Sequence, residues 1–155
     1  MDTITAVSLS PTRFWRRTGI DMIHWSAKYT RLPWTDNTCC GYYFARIQAE
    51  VFGRTLDPEL VGKISGAFSA ARVMAACLAD LSVAARYGYR PTDAPVDGDA
   101  CFLTQRSTPH HIGTVAVIDG RFAVAHALEG VGMVVSDLLA LRVNGWRIAG
   151  FWSWI

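Results

Sequence analysis

Cys39 and Cys40 stand where a polar, turn-prone stretch, Arg31 to Thr38, gives way to an apolar pattern of helical period. A thiol in the first turn of a helix faces unpaired backbone N–H groups and the positive end of the helix macrodipole. Both favour the thiolate, the form that acts as nucleophile or metal ligand. An unperturbed thiol, with a pKa of about 8.5, is only slightly ionised at neutral pH, so this placement bears on reactivity. Gly41 comes next, and its missing side chain leaves room for a substrate backbone to approach. The same position also suits a cysteine buried at a helix start as a small hydrophobe. Cys77, in a helical apolar run, and Cys101, in a strand-like run, are expected to be buried in that way. Adjacent cysteines are poorly placed for a disulfide, and no C-x-x-C pair suggests zinc.

The histidines supply the complementary chemistry. His24 lies beside Trp25 in a helical stretch and reads as structural or exposed. His110, His111 and His126 flank Asp119-Gly120, a dipeptide that favours a two-residue type I′ hairpin turn. Such a turn sets Ile118 opposite Arg121, Gly113 opposite His126 and His111 opposite Leu128. The strand period then puts His111, Gly113 and His126 on one face, with the two imidazoles diagonal to one another and His110 on the other face. One imidazole can take a thiol proton while the second fixes its tautomer. Two such histidines equally suit a metal ion or ordinary sheet positions.

These residues need elements to hold them. Helical periodicity is expected over Pro11–Tyr29, with Phe14, Ile20, Ile23 and Trp25 apolar. A second helix is expected from about Cys39 to Phe52, with Phe44, Ile47 and Val51 on one face and Gly53 as its stop. Asp57-Pro58-Glu59 starts a third helical region, which runs to about Arg86 with a bend at Gly62 or Gly66. Strands are expected at Ala100–Thr104, Ile112–Ile118, Arg121–Ala127, Gly132–Val135 and Trp146–Trp152. Helices first and an antiparallel sheet second is an α+β layout.

The 155 residues are 51% hydrophobic and 18% charged, which predicts one folded domain. Its expected parts are an N-terminal arm or helix over 1–19, a core over 20–152 and a tail over 153–155. A net charge of +2 without a Lys/Arg run argues against a nucleic-acid partner. Polar residues interrupt Met1–Arg17, so no secretory signal is expected and synthesis in the cytoplasm is. Ser69, Arg72, Asp80 and Ser82 interrupt Ala67–Ala85, which therefore reads as core helix and not as a membrane span.

Three motifs in order carry a family resemblance. Thr38-Cys39-Cys40-Gly41-Tyr42 resembles the D-C-x-G-L helix start of NlpC/P60 peptidases. His111-Ile112-Gly113 resembles their H-V-G strand, and Phe122 to His126-Ala127 the next strand, which ends in H-A. Val96-Asp97-Gly98-Asp99 resembles the P-G-D turn that opens the first core strand. The run from His126 to Val135, with Trp146 to Phe151, is most similar to the branch found in phage tails and gene transfer agents. The resemblance implies a papain-like α+β fold with the nucleophile at a helix start packed on a small antiparallel sheet. It implies Cys39 as nucleophile, His111 as general base and His126 as the third polar residue, with no cofactor and no metal. The implied reaction is acyl transfer through a thioester, on peptidoglycan stem peptides, commonly at the D-γ-glutamyl bond to a diamino acid. The implied partners are tail-tip proteins, and the implied location is the virion tail.

The chain departs from the family pattern at several places. Thr38 stands for the usual Asp, and the loop before Cys39 is short. The tyrosine of the oxyanion hole has no clean counterpart: Trp34 is near its slot and Tyr29 is a substitute, which leaves the Cys39 backbone N–H as donor. Two other readings stay open. One is a non-enzymatic tail-assembly protein that keeps the fold, with Phe151, Trp152, Trp154 and Ile155 as a docking anchor. Those aromatics equally fit a strand in the protein's own core; as an anchor, their deletion is expected to impair particle incorporation more than peptidase activity. The other is a zinc protein using Cys39, His111 and His126.

Overall fold

The computed structural model describes residues 23–155. The arm at 1–19 and the start of the Pro11–Tyr29 helix lie outside these residues. The first element described is a short 3-10 turn, Trp25–Lys28, in place of the end of a long helix. His24 caps it by accepting from the Ser26 N–H, and the Trp25 indole N–H donates to Asp97 at 2.8 Å.

Helix α1 spans Cys40–Phe52 and stops at Gly53, whose φ of 63° suits a residue without a side chain. Helix α2 spans Pro58–Ile64, capped by Asp57, which accepts from the N–H groups of Glu59 and Leu60. The single region expected to reach Arg86 is instead three helices, with α3 at Ala67–Ala79 and α4 at Leu81–Arg86. Gly62 stays inside α2, and the first break falls at Ser65-Gly66. The second falls at Asp80, whose carboxylate accepts from the Ser82 N–H; a short acid competes with the helix ladder and favours a cap. No single helix among the described residues is long and apolar enough to cross a membrane.

The rest of the chain supplies six strands: β1 Tyr89–Pro91, β2 Ala100–Thr104, β3 His111–Ile118, β4 Arg121–Leu128, β5 Gly132–Asp137 and β6 Arg147–Trp154. They form one antiparallel sheet in the order β1-β6-β2-β3-β4-β5. Asp119 and Gly120 both have positive φ, 50° and 75°, as the tight hairpin requires, and Ile118 pairs with Arg121. A short helix, α5 (Leu138–Val143), was not expected; Asp137 caps it through the Ala140 N–H at 2.8 Å.

Both faces of the sheet are covered, so β2, β3 and β4 read as nearly continuous apolar runs. On one face Ala100, Phe102, Ile112 and Trp152 pack beneath α1 to α4, beside a cluster in which Ala125, Ala127 and Met133 meet Tyr43 and Ile47 of α1. On the other, Cys101, Leu103, Val115 and Val124 pack beneath Leu141 of α5 and Trp146. Cys77 and Cys101 are buried and free.

The C-terminal aromatics belong to this domain, not to a docking anchor. β6 runs through Trp154, beyond the expected tail boundary, and lies between β1 and β2. Trp152 faces Ala100 and is buried, Trp154 meets the Tyr89 ring edge-on at 5.1 Å, and Phe151 meets Phe122 at 5.6 Å. Only Ile155 of this group is largely exposed.

Candidate active site

Cys39 is the N-cap residue of α1, with extended backbone (φ −82°, ψ −174°), and its carbonyl accepts the first helical bond from Tyr43 at 3.1 Å. The loop before it is pinned: the Tyr43 hydroxyl donates to the Pro33 carbonyl at 2.7 Å, and Thr38 donates to the same oxygen at 3.1 Å. Gly41 is needed for a reason other than substrate approach. A Cβ there would fall 1.8 Å from the Ile64 carbonyl oxygen, so the end of α2 already fills that space. This close approach brings the Ser65 carbonyl to Cys39, whose thiol donates to it at 3.1 Å.

Two influences on the Cys39 proton therefore oppose one another. The adjacent Cys40 thiol, then the N–H groups of Tyr42, Gly41 and Cys39 itself, lowers the Cys39 pKa to about 6 against the opposing effect of burial. The Ser65 oxygen holds the proton, and a thiolate left facing it would be repelled. Deprotonation thus goes with movement of the sulfur away from Ser65. Cys40 is pushed well above the usual thiol range by its contact with Cys39 and by burial, and burial also raises Cys77, to about 11, and Cys101.

On the sheet, the hairpin register sets Gly113 against His126: a Cβ on Gly113 would fall 3.1 Å from His126 Cβ and 2.5 Å from Val124 Cγ1. The space left at Gly113 lets the two imidazoles meet. His111 Nε2 lies 2.9 Å from His126 Nδ1, and the rings stand at 77° to each other. His126 Nε2 lies 2.9 Å from Ser136 Oγ. The His111 ring is stacked on the Trp146 indole at 4.6 Å and 29°. Burial holds His111 well below the usual histidine range, helped by the neighbouring His126 and His110, and burial takes His126 to about 4. Both are neutral at pH 7, and His111 Nδ1 makes no hydrogen bond among the described residues.

Cys39 and His111 line one open groove at the end of the sheet, with Trp34, Gln105, Glu129 and Trp146. The thiol arrives from the helical face and the imidazoles from the opposite face. No hydrogen bond joins Cys39 to His111; the sulfur's partner is Ser65. His110 does not take the other face. It precedes the first paired residue of β3, so strand alternation does not reach it, and its ring lies 5.4 Å from that of Trp146 in the same groove. Tyr29 is unsuited to an oxyanion hole, being fully buried with its hydroxyl donating to Glu50 at 2.8 Å, whereas Trp34 does line the groove. The turn carboxylates serve the fold: Asp97 accepts from the Val117 N–H at 2.8 Å, and buried Asp99 from the Val96 N–H at 2.9 Å.

Three participants escaped sequence reasoning. Trp146 reads there as a strand residue, Ser136 falls one place beyond the expected strand, and a backbone oxygen such as that of Ser65 has no sequence signature. Among the described residues no three His, Cys, Asp or Glu side chains converge to hold a metal ion. His111 Nε2 and His126 Nδ1 are turned toward each other and not toward a shared ligand. Comparison with protein-family models, with curated proteins and with solved structures finds no match to this chain.

Proposed function

We propose that this chain is a papain-like cysteine peptidase of the NlpC/P60 type, with Cys39 as nucleophile, His111 as general base and His126 as its orienting partner. The observation that carries the reading is the meeting in one groove of a helix-start thiol, its pKa lowered to about 6, and a neutral imidazole backed by a second one at 2.9 Å. The thiol leaves Ser65, gives its proton to His111 Nδ1, and the sulfur attacks the substrate carbonyl carbon. The Cys39 backbone N–H steadies the oxyanion. The C–N bond then breaks as His111 protonates the departing amine, which leaves a thioester. Water attacks the thioester, His111 takes its proton, and the thiol is restored. The motif resemblance supplies the substrate class, peptidoglycan stem peptides cut at the D-γ-glutamyl bond to a diamino acid. The same resemblance supplies the setting, a phage tail tip that delivers the protein to the cell wall.

One observation favours a second reading, a tail-assembly protein without activity: the Cys39 thiol is bonded to Ser65 and not to His111. Digestion of purified peptidoglycan separates the two. The peptidase reading expects release of peptides with new amino termini, reduced by a factor on the order of 1,000 or more in both Cys39→Ala and His111→Ala, since the two residues act as a unit. No release by the native protein overturns that reading in favour of the second.

A further inference from the structure

Ser136 Oγ has one hydrogen bond among the described residues, to His126 Nε2 at 2.9 Å. Sheet register creates it. Val124 pairs with Ser136 and His126 with Val134, so Ser136 shares the face of His126 two pairs along the ladder.

The proton arrangement gives this hydroxyl a role. Once His111 has accepted a proton it carries N–H on both nitrogens, and its Nε2–H is donated to His126 Nδ1. An imidazole that accepts on Nδ1 carries its own proton on Nε2. That second N–H then requires an acceptor where His126 is only 1% exposed. Ser136 Oγ stands in that place. Charge on His111 strengthens each bond in the chain. In the neutral state the demand is weaker, because a hydroxyl serves a chain running in either direction.

We infer that Ser136 is a positioning residue of this site, whose oxygen stabilises the protonated form of His111 through His126. The inference rests on the reading of His111 as the base. The other titratable groups around the pair are Cys101 of β2, His110 before β3, Cys39 and Cys40 of α1, and Glu129 after β4. None of them hydrogen-bonds Ser136, and Asp137 beside it is engaged with the Ala140 N–H.

The test is histidine titration by NMR in the full chain, with Ser136→Ala and Ser136→Thr compared with native protein. Ser136→Ala is expected to lower the proton affinity of His111 about tenfold, while Ser136→Thr, which keeps the hydroxyl, restores it. On a stem-peptide substrate, Ser136→Ala is expected to lower kcat about tenfold with KM unchanged. Unchanged His111 titration in folded Ser136→Ala overturns the inference, even if hydrolysis by the native protein upholds the peptidase reading. A titration shifted in Ser136→Ala, beside a native protein that hydrolyses nothing, sinks the peptidase reading and leaves only the proton chain from His111 through His126 to Ser136 standing. Should Ser136→Thr fail to fold, the Ser136→Ala titration decides alone.

Discussion

The Cys39 thiol donates to the Ser65 carbonyl oxygen at 3.1 Å, a contact between the start of α1 and the residue just after α2. The bond holds the sulfur on a backbone acceptor while His111, the proposed base, lies neutral in the same groove. Loss of the proton removes this bond and sets the sulfur against a carbonyl oxygen that repels it, which favours its movement into the groove.

Cys39 is expected to react with iodoacetamide ahead of the other three cysteines. Its rate should rise through a midpoint near pH 6, the value set by Cys40 and the helix-start amides. Cys77 and Cys101, raised by burial, should stay unlabelled in the folded protein. Peptide mapping after brief labelling checks this, and Cys40 labelled first would reverse the assignment.

Acid should destabilise the fold through the histidine pair. His126 titrates at about 4 in the folded protein against 6.5 unfolded, so the unfolded chain binds the extra proton between these values. The contribution is intact above pH 6.5 and is lost as the pH falls toward 4, amounting to roughly 3 kcal/mol for His126 alone. His111, also lowered, acts in the same direction. Urea melts at pH 7 and 4.5 should show the loss, and His126→Asn should flatten it.

Gly41→Ala should be strongly destabilising, by roughly 1–3 kcal/mol or more, because its Cβ would lie 1.8 Å from the Ile64 carbonyl oxygen. Any folded variant must push the end of α2 away and loosen Ser65 from Cys39. Thermal melting gives the first quantity. Faster alkylation of Cys39 in the surviving folded fraction would reveal the second.

Deleting Phe151–Ile155 should abolish cooperative unfolding, since it removes half of a strand lying between β1 and β2. Trp152→Ala alone should cost about 3–5 kcal/mol, as for other buried aromatics. Circular dichroism melts check both; a truncated chain that melts like the native one would return these residues to the role of an external anchor.

Much of the local structure was legible in the residues themselves. Asp57-Pro58 and Gly53 carry their capping signals in their own chemistry, and Asp119-Gly120 fixes a turn by the φ values it tolerates. From that turn, the period of two suffices to bring His111, Gly113 and His126 to one face. Periodicity places Cys39 at a helix start in the same way. All of these are short-range relations, settled by neighbouring residues.

Packing alone decided the relations between groups distant in the chain. His110 escaped strand alternation because pairing begins one residue later, a matter of where β2 ends and not of local pattern. Phe151–Trp154 became core because β6 returns between β1 and β2, a strand order that no local signal encodes. The Ser65 carbonyl reached Cys39 because Gly41 let α2 close on α1, and Ser136 met His126 because β5 docked with one register on β4. A backbone oxygen and a serine hydroxyl look alike wherever they occur in a sequence. They stand out when the fold sets one against a thiol proton and the other against the N–H of a buried imidazole.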